Sequence, residues 1–197
     1  GPTGELFEPL GALTHADAVD AFREQIRGLK AGGIDVVWIE TMSAPEEMQT
    51  ASEAAIAENM PFVFTASFDT AGKTMMGMHP RDIHKVPAPL SEKPFAVGAN
   101  CGVGASDILA SLLDMTDAEP SANVIVKGNC GIPEFRGSEI FYSGTPELMS
   151  EYARLAIDGG ARIIGGCCGT SYNHLAAMRH AIDTHHKRSR PTVAEVI

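Results

Sequence analysis

The sequence has no long apolar run and few positive charges. Its 197 residues contain 15 Lys and Arg against 25 Asp and Glu, a formal net charge of −10 with histidine neutral. Nucleic acids and anionic membrane surfaces are bound through clustered Lys and Arg, so we expect neither as a partner. No apolar stretch approaches the roughly 18 residues of a membrane span. The short basic run at 185–190 is interpreted as a solvated helix end.

Cysteine is also scarce. The chain has 4 cysteines, too few for a disulfide-rich scaffold. Free thiols in a reducing compartment are therefore expected, which predicts a cytoplasmic protein. A composition of 44% hydrophobic and 20% charged residues is enough to bury one sizeable core, so we predict a single domain over 1–197.

Strand-like and helix-like segments alternate along the chain. Val36-Val-Trp-Ile39 is a continuous apolar run, typical of a strand that is covered on both faces. Apolar residues at helical spacing predict the intervening helices. The predicted strands are 36–39, 62–68, 95–99, 124–127 and 162–164, and the predicted helices are 16–30, 44–59, 105–115, 146–158 and 172–184. The looser segment 69–93 is predicted to be a surface connection.

Such βα units build either an open doubly wound sheet or a closed (β/α)₈ barrel. Reactive side chains follow several different strands, whereas an open sheet concentrates its site at one switch point. We therefore predict an α/β fold, a (β/α)₈ TIM barrel of which this chain holds about the last five units. Five strands cannot close a barrel, so we expect three more βα units upstream of Gly1.

Three cysteines fall at predicted strand ends. Cys167 and Cys168 are adjacent, are bracketed by glycines and follow a short apolar run. Cys101 follows the apolar segment 95–99 in the same way. Three thiolates gathered at one edge can bind a zinc ion and leave its fourth position open. We predict a Zn²⁺ site made by these three residues, with a thiol as the substrate.

Two other interpretations of the cysteines stay open. Cys167 and Cys168 could form a redox pair, which would make the protein a dithiol oxidoreductase. Cys130, at the neighbouring strand end, could close a four-cysteine structural site in a non-enzymatic zinc or thiol-sensing domain. Cys101 and Cys167 lie on alternate strands, which share a layer in a barrel, and Cys130 falls between them. It is therefore left out of the ligand set.

Glu40 directly follows the apolar run at 36–39. An ionised carboxylate in such a place is costly unless it meets a cation or hydrogen-bond donors. It could be a structural ion-pair partner or could bind the ammonium group of a ligand. Ser67 and Asn100 also fall at strand ends and are candidates for substrate binding. The seven histidines do not form a metal set.

The two cysteine motifs carry a resemblance to a known family. Gly98-Ala-Asn-Cys-Gly102 together with Gly165-Gly-Cys-Cys-Gly-Thr170 resembles the zinc signature of the homocysteine S-methyltransferase family. This family includes betaine–homocysteine methyltransferases and the homocysteine domain of cobalamin-dependent methionine synthase. Gly1-Pro-Thr-Gly4 is similar to the loop after the third strand of the family, and Trp38-Ile-Glu-Thr-Met42 to its fourth strand.

The resemblance implies a (β/α)₈ barrel in which Cys101, Cys167 and Cys168 bind zinc and Glu40 binds the amino group of homocysteine. It implies methyl transfer to homocysteine from a small donor, either a betaine-like onium compound or a methyl-corrinoid or folate, with methionine as the product. The family's amino-terminal Asp-Gly element and much of its donor pocket have no counterpart in this sequence. The methyl donor, the activity of this chain alone and its assembly into a homo-oligomer are therefore left open.

Overall fold

A computed structural model describes all 197 residues as alternating helices and strands. The helices are α1 (His15–Ala31), α2 (Pro45–Ala57), α3 (Ala105–Ala118), α4 (Pro146–Gly159), α5 (Tyr172–Thr184) and the short α6 (Val193–Val196). The strands are β1 (Val37–Met42), β2 (Phe62–Ala66), β3 (Val97–Cys101), β4 (Val124–Gly128), β5 (Pro133–Arg136), β6 (Glu139–Tyr142) and β7 (Ile163–Gly166). None of the helices has the length and apolar character needed to span a bilayer.

Five parallel strands form one sheet in the order β1-β2-β3-β4-β7. The order of the five strands in the sheet is the same as their order along the chain. A doubly wound sheet, in contrast, reverses its strand order at one point. An order without reversal is the arrangement of an arc of a (β/α) barrel, and the predicted fold class is confirmed. Strands β5 and β6 pair separately as an antiparallel hairpin.

The two faces of the sheet differ in chemistry. The outer face packs on the helices, in a core of 35 buried residues. The inner face has a much smaller apolar cluster, made of Val63, Ala96 and Ile125 with Trp38 and Ile163 against them. Because residues two apart along a strand share a face, the inner positions nearer the carboxyl ends are polar residues or glycines. The polar ones are Glu40, Thr65, Asn100 and Lys127, and the glycines are Gly98 and Gly165.

The helix boundaries agree closely with the sequence patterns. Thr14 caps α1, since its hydroxyl oxygen accepts a hydrogen bond from the backbone N–H of Asp17. Thr145 caps α4 in the same way, and Gly160 ends that helix with a φ of 99°. Left-handed backbone of this kind favours glycine. Local capping chemistry therefore sets where the helices begin and end.

Two strands of the parallel sheet extend further towards their carboxyl ends than predicted. Strand β1 continues to Met42 and β3 to Cys101, so Glu40, Asn100 and Cys101 lie within strands rather than after them. The parallel ladder of β3 continues through Asn100 and Cys101, which pair with Lys127 and Gly128, whereas the pairing of β1 is irregular between Ile39 and Met42. Ladder hydrogen bonds join backbone groups, so a change from apolar to polar side chains does not end a strand.

Two segments between the βα units have structure of their own: 69–93, which was predicted to be a surface connection, and 128–145, for which no element was predicted. The first contains a 3₁₀ helix (Pro80–Lys85) whose Ile83 is fully buried. The second contains the β5–β6 hairpin, whose residues are mostly exposed. An exposed hairpin shows no alternation between buried and solvated positions, and this removes the usual sequence signal.

Close approach of β3 and β4 at Gly98 gives a first test. A Cβ added to Gly98 would lie 1.9 Å from the carbonyl oxygen of Ile125. We expect Gly98→Ala to lower the free energy of unfolding by about 1–3 kcal/mol, the usual cost of overpacking. Denaturant unfolding measures it. Gly28→Ala is the control, because a Cβ in that helical position meets nothing within 4 Å and should raise stability by about 0.5–1 kcal/mol. Equal stability of Gly98→Ala and wild type would contradict the close strand packing.

Candidate metal centre

Three thiols converge at the carboxyl edge of the sheet. Cys101 ends β3, and Cys167 and Cys168 directly follow β7. Their sulfur atoms all lie within 4.8 Å of one another, and the Sγ atoms of Cys101 and Cys168 are 3.8 Å apart. All three cysteines are free thiols. The structure thus brings together the three cysteines that the sequence analysis selected as a ligand set.

The spacing of these sulfurs fits a metal ion. A tetrahedral ion bound about 2.3 Å from each thiolate requires sulfurs about 3.8 Å apart. Cys101 and Cys167 are half-buried and Cys168 is exposed, so one side of the cluster is accessible. Cys130 is fully buried and lies outside the cluster, although its backbone N–H donates to the carbonyl of Cys168. The candidate donor set is therefore three sulfurs, and one side of it is accessible.

Two residues at this edge have strained backbone. Cys101 and Thr41 both have a φ of 63°, in the left-handed region. This conformation costs on the order of 1–2 kcal/mol for a residue other than glycine, and it is rare for a β-branched residue such as threonine. Gly102 continues the turn with a φ of 79°. Such strain persists only where neighbouring contacts hold it, and it is concentrated at functional sites.

Asn100 supplies those contacts for Thr41. Its Oδ1 accepts hydrogen bonds from the backbone N–H of Thr41 (2.8 Å) and from the hydroxyl of Thr65 (2.6 Å). Its Nδ2 donates to the hydroxyl of Thr41 (2.7 Å) and lies 3.9 Å from the sulfur of Cys167. Asn100 is only 1% exposed. Its amide thus joins three strand ends beneath the thiols, while its role in substrate binding stays a prediction.

Asn129, which directly follows β4, links two further turns at the carboxyl edge of the sheet. Its Oδ1 accepts from the backbone N–H of Cys168 (3.1 Å), and its Nδ2 donates to the carbonyl of Gly102 (2.8 Å). It thereby ties together the two turns that present the cysteines. Asn129 was not among the predicted site residues. The sequence does contain a pattern that points to it: an asparagine directly precedes a cysteine at two neighbouring strand ends, at 100–101 and at 129–130.

Burial and neighbouring thiols control the protonation of the cluster. Burial raises the pKa of the Cys101 thiol to about 11, a hydrogen bond with Asn129 opposes this rise, and the adjacent thiols of Cys167 and Cys168 add to it. Without a metal, Cys101 is therefore protonated at neutral pH. A metal must displace protons to bind, so its affinity should increase as the pH rises.

Tyr142, the last residue of β6, packs against the turn that follows Cys168. A Cβ on Gly169 would lie 2.3 Å from Cγ of the Tyr142 ring, so only glycine allows this contact. Burial, with a further contribution from Cys168, raises the pKa of the Tyr142 hydroxyl. The hydroxyl therefore stays protonated and can donate a hydrogen bond to a sulfur. Tyr142 was missed because the hairpin was missed.

The remaining candidates lie at the same edge of the sheet. Glu40 accepts a hydrogen bond at Oε2 from Nζ of Lys127 (2.5 Å), so it has the ion-pair partner that one interpretation required. Its binding of a ligand ammonium stays a prediction. Ser67 is buried, and its hydroxyl donates to a carboxylate oxygen of Asp69 (3.2 Å). Its role in substrate binding also stays a prediction.

The fold and the site define a class, a (β/α)-barrel protein with a three-cysteine site at the carboxyl ends of its strands. The model of the homocysteine S-methyltransferase family matches residues 1–182. The chain belongs to that family, and the resemblance carried by the two cysteine motifs is confirmed.

Solved structures of the homocysteine methyltransferase MmuM from Escherichia coli are similar. The apo form matches with a TM-score of 0.68 and 20% identity, over 86% of this chain and 58% of that enzyme. The metallated form matches with a TM-score of 0.62 and 22% identity, over 82% of this chain and 51% of that enzyme. This chain therefore spans little more than half the length of MmuM, and the likeness establishes the fold.

The network around Asn100 gives a second test. Asn100→Leu keeps the approximate volume but leaves the Thr65 hydroxyl and the Thr41 amide without their buried partner. We expect the free energy of unfolding of the metal-free protein to fall by about 2–5 kcal/mol, since each buried unsatisfied group costs about 1–3 kcal/mol. Denaturant unfolding measures it. The control is Asn123→Leu, because the exposed Asn123 makes one side-chain hydrogen bond, to the carbonyl of Phe95. Equal losses in the two variants would contradict the role given to Asn100.

Proposed function

We propose that this chain carries the homocysteine-activating part of a zinc-dependent methyltransferase. The reaction moves a methyl group from a small donor to homocysteine and yields methionine. The observation that carries the proposal is the cluster of three thiols with one accessible side. Family membership supports homocysteine as the methyl acceptor.

The chemistry of the donor set supports zinc. Thiolates are soft ligands that favour zinc, copper(I) or iron–sulfur clusters. Three protein ligands with an open fourth position are typical of a catalytic zinc site, whereas a structural site has four protein ligands. Zinc, when bound by Cys101, Cys167 and Cys168, supplies a position that holds the homocysteine sulfur as the nucleophilic thiolate.

The chain's own residues hold this site in shape. Asn100 and Asn129 fix the strand ends that carry the cysteines, and the protonated hydroxyl of Tyr142 can donate to the sulfur of Cys168. A bond forms between the homocysteine sulfur and the methyl carbon, and the bond between that carbon and the donor atom breaks. The thiol proton of homocysteine leaves to solvent. This scheme needs no side chain as a general base at the sulfur.

The proposal extends to the donor, the domain and the compartment. The donor is a betaine-like onium compound or a methyl-corrinoid or folate. Residues 1–197 form a single domain that is part of a barrel, as the one continuous parallel sheet supports. Free thiols at the site support a cytoplasmic location.

Two alternatives make different demands on the cysteines. A structural zinc or thiol-sensing domain needs a fourth protein ligand, and the Cys130 sulfur lies outside the cluster. A dithiol oxidoreductase would depend on Cys167 and Cys168 without a metal. The methyltransferase accounts for all three clustered thiols and for the family match.

Zinc content tests the metal assignment. We expect one zinc per wild-type chain purified without oxygen, and Cys168→Ser should lose most of it, because a hydroxyl is a much poorer zinc ligand than a thiolate. Cys130→Ser is the matched control and should keep its zinc. Full zinc in Cys168→Ser, or loss of zinc in Cys130→Ser, would refute the three-cysteine assignment. Elemental analysis of the folded proteins gives the result.

Homocysteine affinity tests the role of Glu40. Glu40→Gln keeps the shape of the side chain but removes its charge. We expect binding of homocysteine to zinc-loaded protein to weaken by about 1.5–3 kcal/mol, the value of a charged hydrogen bond. Calorimetric titration measures it, and an unchanged zinc content serves as the control. Equal affinity in wild type and variant would leave Glu40 as a structural partner of Lys127 only.

A further inference from the structure

Lys127 lies on the inner face of the barrel arc, directly below the thiols. In the parallel ladder it pairs with Asn100 on one side and with Gly165 on the other. The next residue, Gly128, pairs with Cys101. One strand residue spans about 3.3 Å, so the lysine is one step below the cysteine layer. Nothing in the mechanism above uses this side chain.

The structure accommodates Lys127 specifically. A Cβ on Gly165 would lie 3.2 Å from Cγ of Lys127, so glycine at that position makes room for the lysine stem. The ammonium lies 4.9 Å from the centre of the Trp38 ring, within the range of a cation–π interaction. The lysine side chain is 22% exposed. These contacts fix the position of a cation at the floor of the site.

The ion pair that Lys127 forms with Glu40 is electrically neutral. Only Oε2 of Glu40 accepts from the lysine, and the glutamate side chain is 41% exposed, so its other oxygen can take a further partner. The ammonium of Lys127 likewise has donors to spare, since it carries three. Both charges can therefore take one more hydrogen bond each from a molecule in the mouth of the barrel.

Neutrality determines what this pair can bind. A lone ammonium that approaches Glu40 also meets the positive charge of Lys127 a few ångströms away, and the two effects largely cancel. A lone carboxylate that approaches Lys127 is likewise repelled by the negative charge of Glu40. A molecule that carries both charges side by side gains from both contacts, because each of its charges lies beside the opposite charge of the pair.

We propose that Lys127 binds the α-carboxylate of the substrate while Glu40 binds its α-ammonium. The two residues form a neutral clamp that selects a zwitterionic amino acid carrying a thiol and excludes simple thiols. This inference rests on the proposed function, because it names the second half of the homocysteine site. It makes Lys127 a specificity-determining residue.

Thiol binding to the zinc-loaded protein tests the clamp. The probes are homocysteine, desamino-homocysteine, which keeps only the carboxylate, and homocysteamine, which keeps only the ammonium. Wild type should bind homocysteine at least about tenfold more tightly than either analogue, the scale of one charged hydrogen bond. Calorimetric titration under anaerobic conditions measures affinity without requiring turnover.

Substitutions should invert this selectivity. Lys127→Met keeps the stem but removes the charge, which frees Glu40. Homocysteine should then bind at least about tenfold more weakly and homocysteamine more tightly than to wild type. The gain in homocysteamine affinity excludes a general loss of folding in Lys127→Met as the cause. Glu40→Gln frees Lys127 instead, so this variant should bind desamino-homocysteine more tightly than wild type does. Lys127→Arg retains the cation and should keep the preference for homocysteine.

Three results would overturn the clamp, and they differ from failure of the proposed function. Equal weakening of homocysteine and homocysteamine in Lys127→Met would mean that Lys127 only orients Glu40. Unchanged homocysteine affinity in that variant would remove it from the site. Wild type that binds all three thiols equally would refute charge selection while leaving the metal site intact. If no thiol binds zinc-loaded wild type, the proposed function fails as well.

Discussion

The buried amide of Asn100 is the interaction on which the architecture of this site depends. It joins β1, β2 and β7 to its own strand through two threonines and the sulfur of Cys167. The ends of parallel strands leave backbone groups without ladder partners, and these groups need hydrogen bonds from elsewhere. Asn100 meets that need at Thr41 and so supports a strained backbone that would otherwise relax. Asn129 makes similar hydrogen bonds, to the backbone of Gly102 and of Cys168. The two amides thus hold the turns that bring the three thiols together.

Charge is arranged in two layers at this edge of the sheet. The upper layer holds three thiols that become anionic when a metal displaces their protons. The layer below holds the neutral pair of Glu40 and Lys127, placed against the ring of Trp38. A soft metal in the upper layer suits a sulfur, and a neutral pair of opposite charges suits the head group of an amino acid. The proposed substrate, a thiol amino acid, would complement both layers at once, and the proposal agrees with the family to which the chain belongs.

Much of this was accessible from the sequence, because local chemistry encodes it. Thr14 and Thr145 mark helix starts, and Gly102 after Cys101 and the glycines on either side of Cys167-Cys168 mark turns at strand ends. Contacts between distant residues were not accessible. Lys127 follows Glu40 by 87 positions, and no periodicity connects them. Tyr142 was hidden for a different reason, since it lies on an exposed hairpin without an apolar pattern. The polar ends of β1 and β3 were missed because ladder pairing does not depend on side-chain polarity.

The central claim is that three cysteines hold a metal whose fourth position is open to a substrate sulfur. X-ray absorption at the zinc edge tests it directly, because it counts sulfur neighbours of the metal. The account predicts three sulfurs and one lighter ligand in zinc-loaded protein, in agreement with the three clustered thiols. Addition of homocysteine should replace the lighter ligand with a fourth sulfur. Four sulfurs before homocysteine is added, or a shell that homocysteine leaves unchanged, would contradict the account.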